Sequence, residues 1–491
     1  MKKNECITSI HRMLNPVSVA VVGVSKEGFG FGKGILLSLL AMKFSGKLYP
    51  VNPKGGEIAG LAIYPSVEEI PGRIDFAIIA VPAPMVPAAL ESCRKKGAAG
   101  AEILSSGFDE AGTAEGHELA ARLREIIDRG MRVIGPNCFG IYNPRCGLTM
   151  LPGPDLSREP GNVAFISQSG GMSIDLSHMG KWKGIKFSAV VSYGNGIDLR
   201  ESELLEYFNR DPDTDVIGMY IEGVQDGRRF FDSLKEASAC KPVVVLKGGL
   251  SEAGGRAVES HTASMGGKSV LWESLLKQCN AVQVKNIREL GDTLLAMTLI
   301  PPGRYRGISI VGGGGALGVA AADAAESLGM VIPALKDPVR DAVYALLPKP
   351  GSSARNPIDI ANPFVSPDFI RRILVETARD ERIDIQVIIQ LLYHYKSLAV
   401  SLGMASVKDC VPVKELADAV RSAVDETGKP AVMVMPNFKR HEEDIAVEEV
   451  MRLARKEFLQ RRIPVFDELE DALVSVDHLS RWHEKKRERG V

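Results

Sequence analysis

Short β-branched runs alternate with longer amphipathic stretches along almost the whole chain, and this rhythm restricts the fold more than any other feature. "SVAVVGV" (18–24), "KLYPVN" (47–52), "DFAIIAVP" (75–82), "AGAEILSS" (99–106) and "RVIGPN" (132–137) have the length and apolar continuity of strands buried on both faces. Between them, "ILLSLLAMKF" and "MVPAALESCRKKG" carry helical spacing. Strands of this kind separated by helices form parallel, doubly wound α/β sheets.

The rhythm breaks twice. "LPGPDLSREPG" (151–161) and "LIPPGRYRG" (299–307) concentrate proline and glycine and read as linkers. Three α/β domains are therefore expected, at 1–150, 158–300 and 304–487. The second and third open alike, with "NVAFISQSGGMSIDLSHMG" and "ISIVGGGGALGVAAADAAESLGM". Each places an apolar strand, a Gly/Ser turn and a helix in that order, as two related domains following a distinct Rossmann-like one would.

Composition excludes several classes. A length of 491 residues exceeds one core, and 45% hydrophobic with 25% charged residues is ordinary for a globular protein. A net charge of −1 gives no sign of a nucleic-acid or membrane-surface partner, and the basic "HEKKRERG" reads as a solvated helix end. Seven cysteines without a CxxC pair describe neither a disulfide framework nor a zinc site, and no metal site is expected. No apolar run reaches the ~18 residues that span a bilayer, and Asn4, Glu5 and His11 interrupt any signal-like core. The expected location is the cytoplasm.

The first strand runs into "VGVSKEGFGFGKG", where Gly23, Gly28, Gly30, Gly32 and Gly34 allow a ligand close to the backbone and the next helix offers its N–H groups. The GxGxxG spacing of a dinucleotide site is not met. A NAD site also wants an acidic residue after the second strand, and "YPVNPKGGEI" offers Asn52, Pro53 and Lys54. Lysine suits a further phosphate, as in coenzyme A, although an ordinary turn lysine fits equally. Cys138 in "GPNCFGIYNP" is either a nucleophile without an assignable base or a small residue in a tight turn.

"AVESHTASMGG" (257–267) sets His261 among small and hydroxylated residues after a strand and the glycine-rich "GGLSEAGG". A packed histidine normally has bulky neighbours, so this one is expected on a loop. In the second domain "SQSGGMS" offers Ser167, Ser169, Gly170, Gly171 and Ser173 at a helix N-terminus. That is an anion cradle or a plain strand-to-helix turn. Glu222 closes the apolar strand "MYIEGV", where a carboxylate needs a partner or solvent. The remaining histidines considered, His11, His117, His178, His394, His478 and His483, read as surface or packing residues.

These segments together resemble one family. "VAVVGVSKEGFGFGKG", "YPVNPKGGEI", "DFAIIAVPA" and "GPNCFGIYNP" resemble the CoA-binding domain of NDP-forming acyl-CoA synthetases, relatives of the succinyl-CoA synthetase α subunit. The likeness continues through "FISQSGGMS", "SYGNGIDLRESELLEYF", "YIEGVQDGRRF" and "VVVLKGGLSEAGGRAVESHTASMGG" to "NPIDIANP". It implies a Rossmann-like CoA-binding domain followed by two flavodoxin-like, succinyl-CoA synthetase-like domains.

The resemblance also implies roles. His261 would carry the phosphoryl group, Glu222 would support its ring, and Ser167, Ser169, Gly170 and Gly171 would hold phosphate. Gly23, Ser25, Lys26, Gly28, Asn52, Lys54, Val81, Pro82, Ser105, Ser106 and Asn137 would line the coenzyme A site. The reaction would be acyl-CoA, phosphate and ADP or GDP to carboxylic acid, CoA and ATP or GTP. After the third unit only "HEKKRERGV" remains, and no Walker A loop is present. The expectation is an α subunit with a separate ATP-grasp β subunit, as α2β2, which would bind Mg2+ and the nucleotide.

Two departures stand out. Ala263 replaces the glycine of the family's "SHTGS", and "VGGGG" replaces its "NAGG". A regulatory paralogue that binds CoA or acyl-CoA without catalysis is the alternative. Retention of His261, Glu222 and Ser169–Gly171 together argues against it.

Overall fold

A computed structural model describes residues 3–28, 30–150, 153–262 and 269–488, with the backbone alone at Lys3 and at 259–262. The strands are β1 (Ser18–Val22), β2 (Lys47–Val51), β3 (Gly56–Ile58), β4 (Leu61–Ile63), β5 (Phe76–Ile79), β6 (Gly100–Ile103), β7 (Arg132–Ile134) and β8 (Gly140–Tyr142). They continue as β9 (Val163–Ser167), β10 (Phe187–Ser192), β11 (Val216–Ile221), β12 (Val243–Lys247) and β13 (Val282–Val284). The last are β14 (Ile308–Gly312), β15 (Ile358–Asp359), β16 (Ile385–Ile389), β17 (Ala431–Val434) and β18 (Val465–Phe466).

These strands form sheets of order β2-β1-β5-β6-β7, β13-β12-β11-β9-β10-β8 and β15-β14-β16-β17-β18, with β3 and β4 as a separate hairpin. Counting each sheet's parallel strands along the chain, all three have the order 2-1-3-4-5, so the first sheet shares its topology with the other two. In every case the order reverses beside the sheet's first strand, and the crevice at the carboxyl edge there is where doubly wound folds bind ligands. The chain is a mixed α/β protein whose three large sheets are parallel, except that β8 runs antiparallel to β10; the β3–β4 hairpin is antiparallel as well.

By contact the chain divides into two units, Met1–Lys181 with Ile185–Leu290, and Trp182–Gly184 with Gly291–Val491. The first unit holds two sheets. Alternation along β1 explains how: Ala20 and Val22 face a core with Ala77, Ile79, Ala101 and Leu119. Val19 and Val21 face a core that also takes Ile166, Val191, Leu204 and Phe230 of the second sheet. In the second unit, Val311, Ile358, Ile388 and Met433 face the buried sides of helices that include Pro367–Ala378 and Val413–Thr427.

The two sheets of the first unit are joined by backbone. β8, in the segment expected to end the first domain, pairs with β10 of the second sheet. The turn 193–199 lies along the end of β7, with Asn195 N donating to Pro136 O at 3.0 Å, Ile197 N to Gly135 O at 3.0 Å and Leu199 N to Val133 O at 3.1 Å. Asp198 accepts from Val133 N at 2.8 Å and pairs with Arg132 at 3.0 Å. Gly194 has φ +55°, and a Cβ there would stand 2.2 Å from Asn137 O.

Gly194→Ala therefore combines a left-handed backbone with a backbone clash. The variant is expected to lose about 1–3 kcal/mol of stability, read as an earlier urea midpoint. An unchanged midpoint would show that the turn does not hold the sheets together.

Candidate functional site

The crevice of the first sheet opens between β1 and β5. Gly23 follows β1 with φ +102°, and a Cβ there would lie 2.5 Å from Ala80 O; one on Gly32 would lie 2.4 Å from Gly23 O. Glycine at both positions lets the loop pass between strand and helix. Lys33 Nζ donates to Lys26 O and Gly28 O at 3.1 Å each, and Ser25 Oγ to Glu27 O at 2.7 Å. Those bonds shape the loop and leave the Lys26 ammonium exposed.

Beyond β2, the side chain of Asn52 accepts from Lys54 N at 3.0 Å, forming a turn that presents the exposed Lys54. The Lys26 chain lies 3.8 Å from where a Cβ of Gly56 would be, so this turn and the β1 loop are neighbours. Two lysines and a glycine loop at a helix N-terminus suit a polyphosphate chain. Ser105 Oγ donates to Val81 O, joining the segments after β5 and β6, with Pro82 and Ser106 exposed on the same rim. Asn137, at φ +55°, donates its amide to Ser105 O at 2.9 Å. All of the coenzyme A residues expected from the sequence thus fall on loops at one carboxyl edge.

Cys138 is not a nucleophile. Its thiol is buried, donates to Ile103 O at 3.3 Å, and burial pushes its pKa far above the ordinary range. It is the small residue of a tight turn.

In the second sheet, β9 runs into Gln168, Ser169 and the helix Gly170–Lys183. Ser169 Oγ accepts from Met172 N at 3.4 Å and its carbonyl from Ser173 N at 3.2 Å. The amides of Gly170 and Gly171 remain at the positive end of the helix, with Gly171 exposed. Ser167 and Ser173 work from beneath. Their hydroxyls donate to Ser169 O and Gly170 O at 2.6 Å each, so their protons shape the loop rather than point to an anion.

Glu222 is buried at 6% exposure rather than facing solvent. Gln168 fixes it: its side-chain Oε1 accepts from Glu222 N at 2.8 Å and Gly223 N at 3.2 Å. Tyr220 OH donates to Glu222 Oε1 at 3.1 Å, while buried Oε2 meets no hydrogen-bond partner among the described residues. Lys247, the last residue of β12, donates to Glu222 O at 2.8 Å and to Gly248 O, with its ammonium 4.9 Å from the Trp272 ring centroid. Burial pushes its pKa down to about 8, against the opposing pull of Glu222. Gln168, Tyr220 and Lys247 were not expected from the sequence. Only a lysine closing the fully apolar run "VVVLK" signalled that something there needed a charge.

The His261 backbone lies in the helix Glu252–Thr262, not on a loop. Ser251 caps that helix, its hydroxyl accepting from Gly254 N at 3.1 Å, so Gly254 and Gly255 are helical and only Gly248 and Gly249 form the turn. The His261 side chain and Ala263 lie outside the described residues. In the second unit "GGGG" after β14 lines a cleft of about 310 Å³ with Ser353 and Asp359. Among the described residues no cluster of three metal-ligating side chains occurs, and no helix is long and apolar enough to cross a membrane.

Known proteins fit this geometry. Residues 17–144 match a CoA binding domain and residues 160–297 a succinyl-CoA ligase-like flavodoxin domain. The chain is 34% identical to the α subunit of acetate–CoA ligase [ADP-forming] I of Pyrococcus furiosus, over 97% of this chain and 98% of that one. It is 37% identical to acetate–CoA ligase [ADP-forming] I of Archaeoglobus fulgidus over 77% of this chain, and spans 54% of that longer protein. A solved structure of a Ca. Korarchaeum cryptofilum dinucleotide-forming acetyl-coenzyme A synthetase, in complex with phosphate and ADP, superposes with a TM-score of 0.81 at 30% identity, covering 97% of each chain.

A CoA binding domain joined to a succinyl-CoA ligase-like flavodoxin domain defines the class, an acid–thiol ligase subunit. The chain belongs to the α-subunit family of the ADP-forming acetate–CoA ligases.

The low pKa of Lys247 carries a stability prediction. The unfolded chain keeps this proton up to the ordinary value of 10.5, the folded one only to about 8. Between those values the unfolded state binds more protons, so this residue's contribution to stability rises with pH. Lys247→Met should therefore compare best with the wild type below about pH 8 and lose ground by about pH 10. Urea unfolding at both values checks this; a stability difference that ignores pH would refute it.

Proposed function

We propose that this chain is the acyl- and phosphoryl-transferring α subunit of an NDP-forming acid–CoA ligase, working through an acyl phosphate and a phosphohistidine on His261. The observation that carries this reading is the pairing of the Gly170–Gly171 helix end, exposed at Gly171, with a buried Glu222 just past the adjacent strand, its Oε2 unpartnered among the described residues. A plain strand-to-helix turn has no need of the second.

In the proposed sequence, coenzyme A lies along the Gly23–Gly28 loop, with Lys26 and Lys54 on its phosphates and the thioester end directed past Ser105 and Asn137. Phosphate sits on the amides of Gly170 and Gly171. A phosphate oxygen attacks the thioester carbonyl; the C–O bond forms, the C–S bond breaks, and the thiolate takes the proton that phosphate gives up. The neutral imidazole of His261 then attacks phosphorus, forming P–N and releasing the carboxylate. Glu222 balances the positive ring that results. Finally a terminal oxygen of ADP or GDP attacks phosphorus, and the P–N bond breaks to restore the neutral imidazole.

The nucleotide and Mg2+ belong in this reading to an ATP-grasp β subunit, in an α2β2 assembly in the cytoplasm. Support comes from relatives named as α subunits and from a longer relative, not named as a subunit, of which the 377 aligned residues make up 54%. The acid is a small carboxylic acid; the relatives' names include acetate and 4-hydroxybutyrate.

The test is labelling by γ-labelled ATP in the presence of the ATP-grasp subunit. The wild type is expected to take up an acid-labile, base-stable label and His261→Ala none. Glu222→Gln should label roughly tenfold more slowly or worse, with an unchanged melting temperature. No base-stable label on the wild type would overturn the phosphohistidine reading.

A further inference from the structure

Phe139 is a large aromatic residue left 37% exposed at the junction of the two sheets of the first unit. It stands between Cys138, which is buried, and Gly140, which starts β8. Its amide donates to Ser192 Oγ at 3.1 Å, so its backbone is held by the second sheet, while Asn137 beside it belongs to the coenzyme A rim. The ring rests on the phosphate cradle. A Cβ on Gly170 would come within 2.7 Å of Phe139 Cγ and 2.8 Å of Cδ1, and glycine is what lets the ring lie there.

Acyl transfer fixes where the acyl chain must be. The thioester carbonyl carbon has to come within about 3–3.5 Å of a phosphate oxygen. With phosphate on the Gly170 and Gly171 amides and the thioester arriving past Asn137, the rest of the acyl group lies against whatever covers Gly170. That cover is the exposed face of Phe139. Its polar neighbours Asn137, Ser169 and Ser192 are neutral, so a second carboxylate on the acid would find no countercharge among them.

We propose that Phe139 is the residue that reads the acyl chain, forming an apolar wall that limits its bulk and selects an uncharged monocarboxylic acid. This rests on the functional reading above and extends it to specificity.

The experiment compares kcat/KM for acetate, isovalerate and succinate in the chain combined with its ATP-grasp subunit, for the wild type, Phe139→Ala, Phe139→Leu and Phe139→Trp. Removing the ring should raise the isovalerate-to-acetate ratio about tenfold or more, in line with what a few methylenes are worth in an apolar pocket. Phe139→Leu should raise it less, Phe139→Trp should lower it, and succinate should stay poor throughout. Melting temperatures and labelling by ATP accompany each variant, since a ring that only props the loop would move those and leave the ratio alone. An active wild type whose ratio stays within about twofold across the folded variants overturns this inference alone. A wild type that forms no acyl-CoA from any acid overturns the functional reading and this inference with it.

Discussion

The closest constraint in the first unit is the contact between the turn 193–199 and the end of β7. Hydrogen bonds from Asn195, Ile197 and Leu199 to the carbonyls of Pro136, Gly135 and Val133 behave like an extra strand pairing. Glu110 extends it: one oxygen accepts from Gly107 N at 2.7 Å, and the other from Asn195 Nδ2 at 2.5 Å. Under the proposed reading, an acyl group moves from a sulfur held by one sheet to a phosphate held by the other, and such a transfer tolerates little play between them. Backbone bonds supply that rigidity better than side-chain contacts, because ordering them costs no rotamer freedom.

The repeated 2-1-3-4-5 strand order places the chemistry. Each first strand ends in a turn rich in glycine or serine and feeds a helix whose N-terminus faces the crevice beside it. The turns then diverge by side chain. The first carries lysines and fits a chain of phosphates. The second is trimmed to Ser-Gly-Gly at a helix N-terminus, with no lysine in the turn. The third, with Asp359 accepting from Gly314 N at 3.4 Å, already has a carboxylate at its mouth. One topology therefore offers three electrostatically different sites.

Much of this was legible in the sequence, because strand burial, βα turns and glycine placement are local. That the residues proposed for coenzyme A share one carboxyl edge followed from loops after consecutive strands, and that Ser169–Gly171 stand at a helix N-terminus followed from "SQSGG". What the sequence could not show was tertiary. Gln168 matters because its oxygen reaches two amides 54 and 55 residues away. Phe139 matters because a glycine in another domain makes room for it. Helicity at His261 was misjudged because glycines were weighed as hinges, while Ser251 as N-cap and Glu252 in the first turn outweigh two helical glycines.

The centre of the second sheet also shows why such a site is costly to keep. A buried carboxylate oxygen without a partner costs about 1–3 kcal/mol, more when charged. Lys247 is held nearby by two carbonyls instead of a direct pairing with that carboxylate. A fold selected for stability alone would turn the ammonium onto Oε2 and close a buried ion pair. Keeping the two groups on separate duties leaves Glu222 Oε2 unpartnered among the described residues, suited to a partner that bears positive charge for only part of a cycle. A fixed ion pair would neutralise it permanently. In the proposed reading that transient cation is the ring of His261, neutral before phosphorylation and charged after it, so the oxygen unpartnered among the described residues has a use that packing does not give it.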